Sequence, residues 1–299
     1  MNITGVHFLL TYQCTYECDH CFVWGSPKQS GVMTLEDIRF YLVQALEAGT
    51  VKWVYFEGGE PFLYYATLLR GVQIAAEMGF QVGVVSNAYW GTSLGDALEC
   101  LKPFAGLLGD LTVSSDLYHS NEKLSQLVKN ALAAAGQLDI PIDVISVAQP
   151  ESIAQCASGQ LPAGESGVMY RGRAAEALAQ YAKRQPWETL NTCPHEDLRD
   201  PGRVHLDSLG NIHICQGISL GNLRQRSLAE ICSSYEPESH PICGPLLKGG
   251  PAALVSHYKL PHLEDYADAC HLCYTARLAL RGEFSSILGP DQMYAVSSD

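Results

Sequence analysis

Three cysteines lie within eight consecutive positions near the start of the chain, in the stretch CTYECDHCF: Cys14, Cys18 and Cys21. Thiolates bind zinc and iron, and both a tetrahedral zinc ion and a four-iron cluster have four corners to fill. Three thiolates leave one corner open. The stretch therefore predicts a metal or cluster site whose fourth ligand comes from elsewhere, or whose open corner is itself used for chemistry.

The residues alone leave three interpretations of this stretch open. The spacing i, i+4, i+7 is that of one helical face, which would make the thiols a buried stripe, although Thr15 and Asp19 are indifferent helix formers. His20 could complete a zinc site, although structural zinc sites usually pair two separated ligand duos. The third interpretation is a 4Fe–4S cluster held by three thiolates, with one iron left open.

Strand-like and helical segments alternate from residue 1 to about residue 185 and must position these thiols. The strand candidates are short and rich in Val, Ile, Phe or Tyr: Val6–Leu10, Val51–Phe56, Gln81–Val85, Asp110–Val113, Ile142–Val147 and, more weakly, Val168–Tyr170. The helix candidates between them are Leu35–Glu47, with Thr34 as its N-cap, Tyr64–Met78, Ser93–Leu101, Glu122–Ala135 and Ala174–Lys183. This order predicts an α/β fold with a parallel sheet, open or closed into a barrel.

Polar and glycine-rich segments follow four of these strands where each strand ends. The first strand runs into the three cysteines, the second into EGGEP, the third into SNAYW and the fourth into SSDLYH. Because the chemistry of parallel α/β folds is found at the carboxyl ends of the strands, we expect these segments to line one site.

The pattern changes after about residue 186. The stretch RVHLDSLGNIHIC is two alternating runs around Ser208–Asn211, which predicts a β-hairpin. Helices are expected at Leu228–Ser234 and around His271–Leu280, with irregular structure between them where Pro and Gly are frequent. Several cysteines fall in this smaller region, and bound metal would help to hold it together.

The first region resembles the radical S-adenosylmethionine (radical SAM) superfamily. The resemblance rests on C-x3-C-x2-C after the first strand, with His20 before the last cysteine, and on Gly58-Gly59-Glu60-Pro61 after the second strand. It implies a partial (β/α)6 TIM-type barrel over residues 1–185. It also implies a 4Fe–4S cluster on Cys14, Cys18 and Cys21 whose open iron is chelated by S-adenosylmethionine.

The resemblance implies roles for further residues at the strand ends. Ser86-Asn87 is similar to the family's T-N-G, with Ala88 in place of glycine, and Ser114 to Asp116 is similar to its S-x-D, although these two residues could equally cap a helix. Arg173 resembles the arginine of a G-R-A segment and could pair with the cofactor carboxylate, and Val147 could face adenine. The expected cofactor-binding residues are His20, Phe22, Gly58, Gly59, Glu60, Pro61, Ser86, Asn87, Ser114, Asp116, Val147 and Arg173. The expected substrate contacts, named as catalytic candidates, are Tyr89, Trp90, Tyr118 and His119, against the alternative of ordinary aromatic packing.

The second region resembles the SPASM and Twitch extensions of the same superfamily. Cys193, then Gly210-x4-Cys215, then Gly221-Asn222, carry this resemblance, and Cys270-x2-Cys273 would complete a four-cysteine shell. The implied small α+β domain, residues 186–299, would hold one auxiliary 4Fe–4S cluster on Cys193, Cys215, Cys270 and Cys273. Cys243 or Cys232 could replace one of these ligands, and a zinc ribbon on the same four cysteines stays an alternative.

Composition bounds the partners and the compartment. The net charge of −13 argues against a nucleic-acid partner. No apolar run reaches the roughly 18 residues that a membrane span needs, and the first residues do not read as a signal peptide. Eleven cysteines without an export signal point to metal-binding thiolates in a cytoplasmic protein.

The resemblance implies an enzyme that reductively cleaves S-adenosylmethionine to a 5′-deoxyadenosyl radical and abstracts a hydrogen from its substrate. An oxidative modification of a small molecule or of a peptide or protein side chain is expected, with a flavodoxin- or ferredoxin-like reductant. The alternative from another class is a non-catalytic iron–sulfur or zinc protein that carries electrons or acts as a scaffold.

Overall fold

One sheet of eight strands organises the chain in this computed structural model, which describes residues 1–151 and 164–295. The strands of this sheet follow the spatial order β5-β4-β3-β2-β1-β7-β8-β9. Their bounds are β1 Gly5–Thr11, β2 Trp53–Gly58, β3 Gln81–Ser86, β4 Asp110–Ser114, β5 Ile142–Ile145, β7 Arg203–Asp207, β8 Asn211–Cys215 and β9 Ile218–Asn222. The short strands β6 (Gln185–Pro186) and β10 (Asp265–Tyr266) pair with each other in a separate antiparallel ribbon.

The first five strands confirm the predicted parallel α/β order. Each pairs in parallel with its sequence neighbour. Residues at alternate positions, among them Phe8, Phe56 and Val84, point into the main core beneath the helices. The intervening positions, among them His7 and Tyr55, lie on the opposite face. The carboxyl ends of the strands therefore meet at one edge of the sheet, as the strand order required.

The helices are α1 Leu35–Ala48, α2 Tyr65–Glu77, α3 Leu94–Leu101, α4 Gln126–Gln137, α5 Arg173–Ala177, α6 Leu228–Ser234, α7 Cys243–Tyr258 and α8 Ala269–Leu280. The predicted N-cap of α1 is confirmed: Thr34 and Asp37 form a reciprocal capping box, and Gly49 closes the helix in the left-handed conformation. In the described residues, every helix is too short or too polar to cross a lipid bilayer.

The sixth parallel strand is not where the sequence placed it. Val168–Tyr170 lies outside any strand, and the described residues just before it, 164–167, pair with the chain after β5 through an isolated parallel bridge, Val147 to Ser166. A sixth parallel strand comes instead from the second region, because β7 pairs in parallel with the free edge of β1. The predicted hairpin of β7 and β8 is confirmed and continues the sheet through β9.

A second correction concerns the region rich in proline and glycine. Cys243–Tyr258 was expected to be irregular, yet it forms α7, which is kinked where Gly249 and Gly250 leave helical geometry. Pro251 directly follows this kink, so it begins the second helical stretch, where its missing N–H costs no hydrogen bond. Helix α7 packs against α8 in a second hydrophobic core.

A fully buried carboxylate joins the two regions. Asp207, at the end of β7, accepts hydrogen bonds from the Tyr12 hydroxyl at 3.1 Å and the Asn211 side chain at 2.9 Å, and it lies 3.0 Å from His213 Nε2. Burial raises the pKa of Asp207, but the hydrogen bond and charge of His213 outweigh that effect and hold it below its usual range. Tyr12 leads directly to the first cysteine, so this network helps to fix where the cysteine loop begins.

We expect Asp207→Ala to lower the free energy of unfolding by about 3 to 5 kcal/mol, because it leaves the buried His213 and Tyr12 groups without their partner. The exposed Asp143 of β5 provides the matched control, and Asp143→Ala should change the free energy by less than about 0.5 kcal/mol. Anaerobic urea unfolding of both variants measures this, and equal losses would contradict the network's role.

Candidate functional site

The three cysteines lie on a loop at the carboxyl end of β1. Residues 14–21 contain turns and no helix, so the interpretation as a helical stripe is wrong. The Cys14 N–H donates to Ser26 O at 3.0 Å, and the Gly25 N–H donates to Cys21 Sγ at 3.2 Å. The loop thus folds back on itself and turns its thiols toward the ends of the neighbouring strands.

A cavity of about 140 Å³ lies under this loop. Its walls contain all three thiols and the ends of β2, β3 and β4. The structure brings together many of the predicted residues here, and those lining the cavity are Cys14, Cys18, Cys21, His20, Phe22, Gly58, Gly59, Ser86, Asn87, Ser114 and His119.

Gly58 and Gly59 press against the backbone where β1 ends. The Gly59 N–H donates to Thr11 O at 2.7 Å, and the next N–H, of Glu60, donates to Gln13 O at 2.8 Å. A Cβ at Gly59 would overlap the carbonyl oxygen of Gln13, and one at Gly58, whose φ is 139°, would overlap that of Thr11. Only glycine permits this approach.

The Glu60 side chain is buried and engaged by protein donors. Its carboxylate accepts from the Phe62 N–H at 3.0 Å, the Ser86 hydroxyl at 2.9 Å and the Asn87 N–H at 2.7 Å. Burial raises the pKa of Glu60 to about 7, because its effect is larger than that of these hydrogen bonds, which lower the pKa. The side chain therefore ties β2 to β3, and Pro61 begins the short 3-10 turn that follows.

The end of β3 reaches the cysteine loop through Asn87. Its side-chain amide donates to Thr15 Oγ1 at 3.0 Å and lies 3.6 Å from Cys14 Sγ. Ala88 has a φ of 57°, the left-handed region that glycine prefers. This conformation gives a physical reason for the family's T-N-G, because Ala88 occupies its glycine position.

Asp116 organises the end of β4 and does not cap α4, which is capped by Ser125. Its carboxylate accepts from the Tyr118 N–H at 3.0 Å and the Val147 N–H at 3.2 Å, and lies 2.8 Å from His119 Nδ1. Burial raises the pKa of Asp116, but His119 outweighs it and the pKa lies below its usual range.

His20 lies among the aromatic groups at the end of β4. The centre of its ring is 4.6 Å from that of Tyr118 and 5.3 Å from that of His119. Burial lowers the pKa of His20 to about 4, so the ring is neutral at pH 7. Its Nδ1 is buried without a hydrogen-bond partner among the described residues. Such an atom is suited to face a bound group.

Two of the four expected substrate contacts belong to the main core or pack against it, and neither lines the cavity. Trp90 packs against Phe62 at 4.9 Å and donates its indole N–H to Ser86 Oγ at 3.0 Å. Tyr89 packs beside the same core, and its hydroxyl donates to Phe62 O at 3.3 Å. The default alternative of aromatic packing describes both residues, and of the four only His119 lines the cavity, with Tyr118 behind it.

Arg173 holds the cysteine loop from beneath. It is buried, and its guanidinium donates to Cys18 O at 2.7 Å and Gly25 O at 2.8 Å and lies 5.3 Å from the Trp24 ring. Its backbone N–H donates to Cys21 O at 2.9 Å. This side chain is therefore engaged by the loop itself rather than solvated at a helix start.

A second group of thiols lines a separate cavity in the C-terminal region. Cys193, Cys215, Cys270 and Cys273 surround it together with two buried arginines, Arg171 and Arg277. Arg171 Nη1 lies 3.2 Å from Cys215 Sγ. Burial alone would lower the pKa of Arg171, but Cys215, Cys270 and Glu196 raise it.

Neither thiol group has the spacing of a single zinc ion. Tetrahedral zinc with Zn–S bonds of about 2.3 Å brings its sulfurs within about 3.8 Å of each other. Among residues 1–151 and 164–295, the sets of three ligand atoms within 4.8 Å are His7–Glu57–His205, His20–Asp116–His119 and His195–Asp268–Cys270, and none contains two cysteines. In neither group, therefore, do three of the thiols lie as close together as the ligands of one zinc ion would.

Of the remaining cysteines in the described part of the chain, none lines either cavity, although Cys243 lies close enough to Cys215, Cys273 and Cys193 for their charges to raise its pKa. Cys243 is fully buried at the start of α7, where burial raises its pKa to about 12, and it is not among the lining residues. Cys232 packs against the main core, as does Cys100. Cys156, expected to be a buried thiol like Cys100, lies outside the described residues.

Sequence reasoning missed a charged cluster on the inner face of the sheet. Glu57 Oε2 lies 3.1 Å from His7 Nδ1, and Glu57 Oε1 lies 3.1 Å from His205 Nε2. Burial raises the pKa of Glu57, but the two histidines outweigh it and hold it below its usual range. The sequence feature that could have predicted this cluster is a histidine at the third position of both GVHFL and RVHLD, since these two segments form neighbouring strands.

Comparison with known proteins agrees with this geometry. Residues 8–146 match the Radical SAM superfamily. The chain is 32% identical over 124 residues to the putative peptide biosynthesis protein YydG of Bacillus subtilis (strain 168), covering 41% of this chain and 39% of that protein. It is 27% identical over 135 residues to an S-adenosylmethionine-dependent nucleotide dehydratase of Fibrobacter sp. (strain UWH6), covering 40% and 36%. The matches thus span less than two fifths of each relative's length.

Solved structures show the same fold. BtrN in complex with AdoMet and 2-DOIA superposes with a TM-score of 0.51 at 15% identity, covering 77% of this chain and 81% of that one. Native anSMEcpe with bound AdoMet superposes with a TM-score of 0.51 at 10% identity, covering 94% and 97%. The family model and the relatives support the radical SAM superfamily, whose members are enzymes. The solved structures show the fold, and the parallel sheet is consistent with a partial barrel.

The residues present fit the cofactors that this superfamily implies, S-adenosylmethionine and a 4Fe–4S cluster. Three thiols line one cavity, and they do not form a set with all three sulfurs within 4.8 Å of one another. The glycine pair lines the same cavity, and the buried His20 Nδ1 has no partner among the described residues.

We expect Gly59→Ala to displace the end of β2 from the cysteine loop. The added methyl should lower the free energy of unfolding by about 1 to 3 kcal/mol or more and reduce iron bound at the three-cysteine site. Gly136 of α4 has open space around its Cβ position, so Gly136→Ala should instead stabilise by about 0.5 to 1 kcal/mol. Thermal unfolding and iron analysis measure both, and full iron loading in Gly59→Ala would refute the expected clash.

Proposed function

We propose that the chain is a radical SAM oxidoreductase or modifying enzyme that reductively cleaves S-adenosylmethionine and abstracts a hydrogen from its substrate. The observation that carries this proposal is the convergence of Cys14, Cys18 and Cys21 on one cavity with the backbone of Gly58 and Gly59. A non-catalytic iron–sulfur or zinc protein has no need of a glycine-built strand end beside its thiols.

The residues of the cavity divide the work of binding. The three thiolates would hold a 4Fe–4S cluster, and backbone acceptors at Gly58 and Gly59 would receive the cofactor's ammonium group. Ser86, Asn87 and Ser114 would contact its polar groups, and Val147 would lie against adenine. Glu60, Asp116 and Arg173 act through the backbone they hold, since their side chains are already engaged by protein groups.

When bound, the cluster supplies an electron that breaks a carbon–sulfur bond of S-adenosylmethionine, and the resulting 5′-deoxyadenosyl group takes hydrogen from the substrate. The protein's contribution is position and exclusion of water. Tyr118 and His119 are the proposed contacts on the substrate side, because Asp116 fixes both at the end of β4. The neutral His20 lines the same cavity, and its buried Nδ1 has no hydrogen-bond partner among the described residues.

The C-terminal cavity is proposed to hold one auxiliary 4Fe–4S cluster in a Twitch-like domain, residues 186–299. Four thiols and two buried arginines support this assignment: a cluster with four thiolates carries net negative charge, and Arg171 and Arg277 would offset it. Four cysteine ligands would saturate the cluster and favour electron transfer over binding of substrate.

The substrate class is proposed to be a peptide or protein side chain, or a small molecule, undergoing oxidation. Similarity to a relative named as a putative peptide biosynthesis protein favours the peptide. A flavodoxin- or ferredoxin-like protein would supply electrons in the cytoplasm, and neither nucleic acid nor membrane is a proposed partner.

We expect anaerobically reconstituted protein, reduced with dithionite, to convert S-adenosylmethionine to 5′-deoxyadenosine, as measured by chromatography with mass detection. Cys18→Ala removes one of three cluster ligands and should reduce the product to background. Cys100→Ala is the matched control and should retain wild-type turnover, since Cys100 packs outside the cavity. Absence of 5′-deoxyadenosine from the wild type would favour the non-catalytic alternative.

We expect about eight iron atoms per chain, from two four-iron clusters, and about four in the double variant Cys270→Ala/Cys273→Ala, which keeps only two of the four proposed auxiliary ligands. Cys232→Ala should keep the full iron content, because Cys232 packs against the main core. Iron and zinc analysis of the three proteins tests the auxiliary cluster. About four iron atoms together with one zinc ion in the wild type would show that the four C-terminal cysteines form a zinc ribbon and do not hold an auxiliary cluster.

A further inference from the structure

Three side chains on adjacent strands converge on the inner face of the sheet. His7 of β1 and His205 of β7 are direct register partners, and Glu57 of β2 projects toward both from the other side of β1. The three belong to one face because the side chains of a strand alternate. This placement puts two imidazoles and one carboxylate within 4.8 Å of one another.

Each carboxylate oxygen of Glu57 lies close to one imidazole nitrogen. Glu57 Oε2 and His7 Nδ1 form a hydrogen bond at 3.1 Å. His205 Nε2 also lies 3.1 Å from Glu57 Oε1, yet Oε1 is buried without a hydrogen-bond partner among the described residues. Oε1 and His205 Nε2 are therefore close together, and both atoms belong to the set that could bind one ion.

Both nitrogen–oxygen separations of 3.1 Å match the distance between neighbouring ligand atoms of a single ion. Zn–N and Zn–O bonds of about 2.0 to 2.2 Å place neighbouring ligand atoms about 3.0 to 3.5 Å apart. Two imidazoles with one carboxylate are typical of zinc and of other divalent first-row metals, and three protein ligands leave a coordination position open. The rings are also held in place, since His7 stacks on Tyr55 at 4.7 Å and His205 lies 5.8 Å from Phe22.

We propose that His7, Glu57 and His205 bind one divalent first-row transition-metal ion, with zinc as the representative. The three ligands leave one coordination position of this ion open. Glu57 also lines the cofactor cavity, whereas Tyr55, which supports His7, lines a larger cavity of about 430 Å³ at the other end of the strands. The ion would lie between the two spaces and could bind a carboxylate, phosphate or carbonyl oxygen of the substrate.

The proposal goes beyond the function proposed above and does not rest on either iron–sulfur cluster. The other two sets of potential ligands do not carry such a proposal. His20, Asp116 and His119 belong to the cofactor cavity, and Cys270 of the third set belongs to the four-cysteine cavity.

The test uses the cluster-loaded protein with S-adenosylmethionine present, dialysed free of loosely bound metal and then titrated with zinc. We expect one further zinc per chain by elemental analysis. Its X-ray absorption spectrum at the zinc edge should show nitrogen and oxygen ligands at about 2.0 to 2.2 Å, with imidazole scattering and no sulfur at about 2.3 Å. Zinc on the cysteines would give the sulfur shell, so failure of the auxiliary-cluster proposal is distinguishable.

His7→Gln and His205→Gln should each weaken zinc binding by about 100-fold or more and abolish the rise in melting temperature that zinc gives the wild type. His262→Gln changes an exposed histidine of the second region and should leave both unchanged. The wild-type spectrum remains decisive if a variant does not fold. Absence of the extra zinc, sulfur ligation, or unchanged affinity in a folded His205→Gln variant would overturn the proposal.

Discussion

The direct contact of two backbones at the end of the sheet is the constraint on which the site depends. Gly58 and Gly59 lie so close to the exit of β1 that no Cβ fits, and two N–H groups of this segment donate to carbonyls of the β1 exit. This contact fixes the start of the cysteine loop relative to β2, and Glu60 extends the tie to β3. The position of three thiols is thereby set by main-chain hydrogen bonds within the sheet.

A three-residue segment connects the two thiol cavities. Arg171 reaches Cys215 of the second cavity, and Arg173 holds the carbonyls of the cysteine loop in the first. Between them Gly172, with a φ of 61°, packs on the carbonyls of Cys21 and Phe22, where a Cβ would not fit comfortably. The backbone of residues 171–173 therefore links the two cavities directly. The pairing of β7 with β1 in one sheet links them a second time.

The local order of the chain was predictable, because strand ends, caps and the glycine motif are encoded by neighbouring residues. Long-range partners were not. The alternating pattern of RVHLD predicts a strand but does not specify that this strand pairs with β1. The Pro and Gly residues at 243–251 predicted irregular structure, whereas the chain forms a helix whose kink accommodates them. Types and order of residues predicted the convergence of the cysteines, whereas the inward placement of Trp90 and the engagement of Arg173 depend on packing that one sequence does not specify.

The central claim is that the cluster on Cys14, Cys18 and Cys21 keeps one iron free of protein ligands. Mössbauer spectroscopy of protein loaded with iron-57, before and after addition of S-adenosylmethionine, tests it most directly. The account predicts that one iron site changes its isomer shift and quadrupole splitting on addition of the cofactor, while the other sites do not. A spectrum unchanged by saturating S-adenosylmethionine, with every iron already in a four-sulfur-type environment completed by the protein, would contradict it.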